Sequence, residues 1–176
     1  MFIINRINTP LGEMTAGATR DGICLLEFGR RDDSDPFYNE MASQFGTTVS
    51  YGSNKHISDL RHQLKEYFNG GRKEFNIPLV MKGTEFQEKV WNGLLKIAYG
   101  ETISYARQAV ILKNPRLVRA VAHANGMNRI AIIVPCHRVL GSDGKLVGYG
   151  GGLEKKRWLI DHEKRNTAKP VEQTLF

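Results

Sequence analysis

Two apolar runs joined at Asp21-Gly22 constrain the fold of this chain more than any other local feature. Glu13 to Ala18 and Ile23 to Phe28 read as strands, and Asp-Gly between such runs closes a tight antiparallel hairpin, since both residues tolerate positive φ. Phe2-Ile3-Ile4 precedes another turn, Thr9-Pro10-Leu11-Gly12, so the chain opens as a β-rich unit. Arg30 to Ser53 is polar and is expected to be loop with a short helix. Ile57, Leu60, Leu64, Tyr67 and Phe68 recur at helical spacing until Asn69-Gly70-Gly71. Asn76-Ile77-Pro78-Leu79 reads as a linker strand.

The period changes near Lys82-Gly83. Thr84, with Gln87 three residues on, predicts a capping box for a helix carrying Phe86, Val90, Trp91, Leu94 and Leu95. Tyr99-Gly100-Glu101-Thr102 breaks it. Ser104 then caps a short helix from Tyr105 to about Leu112, and Asn114-Pro115 is expected to start another running to about Ala124. Two short helices on a tight turn predict a helix-turn-helix. Ala131-Ile132-Ile133-Val134 reads as a buried strand or extended run ending at Pro135-Cys136-His137-Arg138-Val139. A glycine-rich segment follows, and Leu153 begins a last helix. The expected architecture is α/β (α+β) in two small domains, residues 1–82 and 83–165, with a polar tail at 166–176.

No apolar run in the 176 residues approaches the ~20 that a membrane span needs. Two cysteines exclude a disulfide-stapled scaffold. Met1 to Arg6 has neither the basic start nor the apolar core of a secretory leader, so a cytoplasmic protein with reduced thiols is expected. Charge is divided sharply. Residues 1–82 carry ten basic and ten acidic side chains, and residues 83–165 carry fourteen against seven, which holds the whole net charge of +7. A polyanion partner and a solvated basic surface fit that excess equally well.

The two cysteines differ in their neighbours. Cys24 sits in a predicted strand beside Leu25 and Leu26 and reads as a small buried hydrophobe. Cys136 follows Pro135 and precedes His137 and Arg138, and cationic or hydrogen-bonding neighbours lower a thiol pKa toward neutrality. On Cys-His alone, a buried strand-end cysteine beside a surface histidine is the preferred reading over a nucleophile beside its base.

The run Ile133-Val134-Pro135-Cys136-His137-Arg138-Val139 resembles the active-site signature of the O6-alkylguanine-DNA alkyltransferases, also called methylated-DNA–protein-cysteine methyltransferases. The resemblance continues collinearly across residues 83–165. It includes Thr102 to Tyr105, Asn114-Pro115 through Val121, Asn125-Gly126-Met127-Asn128, Val147 to Gly152, and Trp158 to Glu163. The first half is similar in kind to that family's ribonuclease-H-like domain, and the second half to its winged-helix-like domain with a helix-turn-helix.

The resemblance implies DNA repair on a base rotated out of duplex DNA. Cys136 would attack the alkyl carbon on O6 of guanine, with O4-alkylthymine open as a second substrate, and would keep the group permanently. His137 would take the thiol proton through a water, Glu163 would hold His137, Asn128 would tie the recognition helix to the active-site turn, and Tyr105 would assist the leaving guanine. Val139, Tyr149 and Gly150 would line the base pocket. Arg119 would enter the vacated stack, and Arg116, Lys113, Asn125 and Ala122 would meet the DNA, with Ala120, Ala122 and Ala124 forming a small-residue face. No cofactor and no metal are implied, and a monomer is expected.

The chain departs from the family pattern at Ala122 (often Gly), at Gly150 (Ser in some members) and at Arg129 (commonly Pro), which predicts a less rigid hinge. Gln173-Thr174-Leu175-Phe176 weakly resembles peptides that dock on replication sliding clamps, although an unstructured polar end is the preferred reading. Three rivals remain: a noncatalytic lesion-binding relative, disfavoured by the presence of Cys136; a helix-turn-helix regulator; and a cysteine hydrolase.

Overall fold

A computed structural model describes residues 1–167. The clamp-like tail sequence lies outside the described residues. Strands β1 (Phe2–Thr9), β2 (Gly12–Ala18) and β3 (Ile23–Phe28) form an antiparallel meander, as the two turns predict. Gly22 is required at the β2–β3 turn: its φ is 155°, and a Cβ there would lie 2.4 Å from the Pro78 carbonyl oxygen. That close approach lets residues 78–80 bond to Ile23, so the predicted linker strand is reduced to a single parallel bridge, Ile23 to Leu79.

The polar stretch holds more order than its composition suggests. Asp35 caps α1 (Pro36–Gln44), and β4 (Val49–Tyr51) adds a parallel strand beside β1, giving the order β3-β2-β1-β4. α1 covers one sheet face over Phe2, Ile4 and Leu25. α2 (Lys55–Phe68), capped by Asn54, buries Ile57, Leu60, Leu64 and Tyr67 against the other.

Beyond Gly83, α3 (Glu85–Leu94) carries the predicted capping box in full, both Thr84 and Gln87 bonds being made. β5 (Ile103–Ser104) leads directly into α4 (Tyr105–Ile111), whose first turn is capped by Ser104. α5 (Val118–Gly126) begins later than Pro115 suggests. Asn114 to Leu117 close the turn, and helical bonding starts with Val121 N–H to the Leu117 carbonyl at 2.8 Å. β6 (Val139–Leu140) pairs in parallel with β5, and α6 (Leu153–Thr167) closes the described chain.

The Ala131–Val134 strand does not form. All of Ile130, Ile132, Ile133 and Val134 are buried, but the backbone folds into consecutive tight turns. Ile133 N–H bonds the Ala131 carbonyl with Ile132 at φ 71°, and Cys136 N–H bonds the Val134 carbonyl. A continuous apolar run signals burial and leaves the backbone shape open. Only its start pairs with the sheet: Leu26 donates to the Arg129 carbonyl and accepts from Ala131 N–H, each at 2.8 Å. The expected small-residue face also loses a member, because Ala124 is buried and its carbonyl accepts from Trp91 Nε1 at 2.8 Å.

One buried cluster runs from Ile7, Met14 and Leu26 through Leu64, Trp91 and Leu94 to Val121, Val134 and Leu159. The two halves thus share a core across the change of secondary structure. No helix among the described residues is long and apolar enough to cross a membrane.

Candidate active site

Cys136 opens a short 3-10 turn (Cys136–Arg138) at the end of the buried run. Its thiol is partly exposed on the wall of a pocket of about 330 Å³, toward the small end of the ~300–1,000 Å³ typical of ligand sites. Tyr105 and Ala122 from the helix-turn-helix line this pocket, as do Gly148, Tyr149 and Gly150 from the glycine-rich segment. β3 and the loop after it contribute Phe28 and Arg31. The halves meet tightly here: a Cβ on Gly151 would lie 2.6 Å from the Phe28 ring, and that ring meets Tyr149 edge-on at 6.1 Å.

Asn128 fixes the turn. Its Oδ1 accepts from Ile130 N–H at 2.9 Å, and its Nδ2 donates to the Val134 carbonyl at 2.8 Å and lies 3.3 Å from Cys136 Sγ. Arg129, expected to loosen this hinge, braces it. It pairs with Glu27 at 2.9 Å, and its guanidinium lies 5.0 Å from the Phe37 ring centre, so the hinge is held against the N-terminal half.

His137 is fully buried, and its Nε2 lies 2.7 Å from Glu163 Oε1. The carboxylate is surrounded only by donors. Oε1 also accepts from the Tyr67 hydroxyl at 2.7 Å and Arg138 Nη2 at 3.0 Å. Oε2 accepts from Arg138 Nε at 2.8 Å and Gly100 N–H at 3.1 Å. Burial alone would raise the Glu163 pKa, but the bonds and charges of His137 and Arg138 outweigh it and hold the carboxyl well below the usual carboxylate range. An ionised Glu163 only accepts, so Nε2 carries the imidazole proton and Nδ1 keeps its lone pair. Nδ1 is buried and has no partner among the described residues. Burial, opposed by Glu163, lowers the His137 pKa and so favours the neutral ring.

The resting thiol differs from the sequence expectation. Burial pushes the Cys136 pKa up, and the Asn128 hydrogen bond and Lys156 charge offset this only in part. Cys136 therefore rests as a thiol beside a neutral imidazole whose free lone pair can take a proton. Cys24, as its sequence suggests, is inert: its thiol donates to the Gly17 carbonyl at 3.6 Å, and burial pushes its pKa up to about 12.

The Tyr105 hydroxyl donates to the Val147 carbonyl at 3.2 Å, and burial, then the nearby Cys136, raises its pKa, so it keeps its proton. Tyr149 and Gly150 stand on the pocket wall as expected. Val139 does not, because β6 pairing buries it completely. Lys113, Arg116 and Arg119 are exposed, and Ala122 is half-buried at the pocket. Asn125 is buried on α5, exchanging amide hydrogen bonds with Gln108 at 2.7 and 3.2 Å, so its side chain braces α4 against α5 while the residue still lines the pocket.

Sequence reading missed Tyr67, Arg138, Lys156 and the wall from the first half. Lys156 is fully buried, and its Nζ donates to the Val147 and Gly148 carbonyls at 2.9 and 3.1 Å, fixing the pocket's glycine-rich wall. Arg138 stands inside the Cys-His run, where its local sequence signals a cation near the thiol and gives no sign of its pairing with Glu163.

Two family models match the chain. The 6-O-methylguanine DNA methyltransferase ribonuclease-like domain matches residues 4–81, and the DNA binding domain of the same description matches residues 85–165. A methylated-DNA–protein-cysteine methyltransferase of Mycobacterium tuberculosis is 53% identical over 114 residues, 65% of this chain and 68% of that protein. A constitutive one of Bacillus subtilis is 40% identical over 157 residues, 89% and 92% of the two chains. The crystal structure of M. tuberculosis OGT in complex with DNA superposes with a TM-score of 0.78 at 39% identity, covering 93% of this chain and 94% of that one.

Proposed function

Because this chain belongs to the 6-O-methylguanine DNA methyltransferase family, we propose that Cys136 is the acceptor with which it repairs O6-alkylguanine in duplex DNA. The chain is a DNA-repair alkyltransferase, and the reading adds its residues and their roles. The observation that carries it is the thiol at the pocket, fixed by Asn128 and followed at once by a histidine whose tautomer is set by Glu163. In this reading residues 1–82 are the ribonuclease-like domain and 83–165 the DNA-binding domain.

The flipped base enters the pocket between Tyr105 and the Gly148–Gly150 wall. The Sγ–carbon bond forms as the carbon–O6 bond breaks, and the bonding pair leaves on the guanine. The thiol proton goes to His137 Nδ1 through a water. The purine takes a ring proton from the Tyr105 hydroxyl and departs as guanine, the tyrosine regaining a proton from solvent as His137 releases one to it. The product is a thioether, a poor leaving group, and Cys24 lies outside this pocket. Each molecule therefore acts once, and we propose that it does so as a monomer. Work on chromosomal DNA with free thiols fits the cytoplasm.

The test is to incubate the protein with a duplex holding one O6-methylguanine and weigh it intact. One added methyl on Cys136, unmodified guanine in the DNA and a stoichiometric endpoint are expected. A catalytic excess of repaired DNA would overturn the single-use mechanism, and an unchanged protein mass would overturn the acceptor assignment.

Arg119 gives a finer prediction. Base flipping costs a few kcal/mol, and a guanidinium inserted in the gap offsets part of it. Arg119→Ala should slow transfer from duplex DNA about tenfold, the equivalent of about 1.4 kcal/mol. Transfer from the free O6-methylguanine base should stay at the wild-type rate, because no stack is vacated. Equal losses on both substrates would place Arg119 in the chemistry instead. Duplex affinity should also fall as salt rises, following counterion release by the basic second half.

A further inference from the structure

The Glu163 carboxylate is reached from both halves of the chain. Four of its five donors belong to the second half: His137 Nε2, two Arg138 nitrogens and Gly100 N–H. The fifth is the hydroxyl of Tyr67 on α2, at 2.7 Å from Oε1, the same oxygen that accepts the His137 Nε2–H bond. Tyr67 is completely buried. Its ring is wedged among Phe68, Phe75, Tyr99 and His162, with centroids 5.3 to 6.0 Å away, and its carbonyl lies 2.7 Å from His162 Nε2. The hydroxyl is thus aimed at Oε1 by packing.

We infer that Tyr67 is a positioning residue of the transfer reaction: its hydroxyl anchors the Glu163 oxygen that holds His137 and draws off part of that oxygen's charge, so the N-terminal half tunes the base that receives the thiol proton. The inference rests on the assignment of Cys136 as acceptor. An oxygen shared among three donors gives less to each. With Tyr67 silent, Oε1 would bind the His137 N–H more strongly and favour the imidazolium, and a histidine already protonated cannot accept the thiol proton.

The groups facing this pair are Tyr67 from α2, Tyr99 and Gly100 from the loop after α3, His137 and Arg138 from the 3-10 turn, and Lys156 and His162 from α6. Burial, then the Glu163 charge, raises the Tyr67 pKa well above its ordinary value, so it stays a donor at any working pH. His162 bonds to the Tyr67 backbone, a contact that a side-chain change leaves in place.

Tyr67→Phe removes one oxygen and keeps the ring. Two readouts are taken from about pH 5 to about pH 9, the range in which histidine titrates: the His137 imidazole titration by NMR of the resting protein, and the transfer rate on the O6-methylguanine duplex. The midpoint should rise by about half to one pH unit, with the acid limb of the rate moving the same way. Above the limb the variant should stay within about threefold of wild type. Phe75→Leu disturbs the same aromatic cluster without touching Glu163, and should lower the melting temperature with the limb unmoved. A Tyr67→Phe protein whose midpoint and limb match wild type overturns the inference. So does one slowed by the same factor at every pH, as a packing defect would be. If the wild-type protein transfers nothing, the acceptor assignment falls, and the NMR midpoint still decides whether Tyr67 tunes the imidazole.

Discussion

Replacing Cys136 with alanine should abolish alkyl transfer and leave affinity for a lesion-bearing duplex within about threefold of wild type. The two effects separate because the sulfur supports little else. It is partly exposed, and its one side-chain partner, Asn128 Nδ2, keeps a 2.8 Å bond to the Val134 carbonyl when the sulfur goes. The change should therefore cost about 1 kcal/mol of stability or less. In the proposed reading duplex affinity comes from cations such as Lys113, Arg116 and Arg119, which are exposed and do not line the thiol's pocket. Chemistry has no substitute, since the pocket holds no second cysteine. Cys136→Ser keeps the shape but offers a hard oxygen, a far poorer nucleophile toward an alkyl carbon than sulfur, so it should also transfer nothing. Intact-mass spectra and filter binding on the same samples check both statements. A methyl found on any residue of the alanine variant would remove Cys136 from the mechanism. Equal affinity for damaged and undamaged duplex, in both variant and wild type, would instead favour a plain helix-turn-helix binder.

The fold was legible where local chemistry dictates backbone shape. Asp21-Gly22 marks the β2–β3 turn, Thr84 with Gln87 marks the start of α3, and Ser104 marks that of α4. In each, a side chain or a glycine satisfies backbone groups within a few residues. It was illegible where distant partners decide. Ile130 to Val134 carry the apolar signal of a strand, yet Asn128 holds their carbonyls and amides in tight turns, and only Leu26, a hundred residues earlier in the chain, offers an edge to pair with. β4 was hidden in a polar stretch because its three residues are ordered by β1 and not by their own pattern.

The site divides the same way. The resemblance brought forward Cys136, His137, Asn128 and Glu163, and the fold sets Asn128 against the Cys136 sulfur and Glu163 against the His137 ring of the next residue. It also brought forward Val139 and Asn125, which the fold turns inward. Residues that act from the opposite half left no local signal. Tyr67 reads as one more apolar position on an amphipathic helix, and only the tertiary contact reveals that its hydroxyl points at a carboxylate ninety-six residues away. Lys156 reads as a surface charge in a run of cations. A sequence gives no sign that two loop carbonyls will satisfy a buried ammonium.

Loss of Glu163 should damage fold and rate together, and Glu163→Gln should be nearly as harmful as Glu163→Ala. Both carboxylate oxygens face donors alone, so an amide in either orientation turns its NH₂ toward an Arg138 N–H. Arg138 is then left as a buried, uncompensated charge, a defect that costs about 3–5 kcal/mol in comparable pairs. At about 2–4 °C per kcal/mol for a chain of this size, the melting temperature should fall by about 6–20 °C. The rate should fall by about 10²–10⁴ even where the variant is folded, because His137 loses the contact that sets its tautomer. The acid dependence of stability gives an independent check. The carboxyl titrates lower in the folded protein than in the unfolded chain, so its contribution is complete above the unfolded value of about 4.3 and is lost as pH falls toward the folded value. The gap in melting temperature between wild type and Glu163→Gln should therefore be widest near neutral pH and narrow steadily below about pH 4. A gap that stays constant into acid would mean that Glu163 is not the ionised hub of this site. A glutamine variant with wild-type transfer would mean that His137 needs no carboxylate to work.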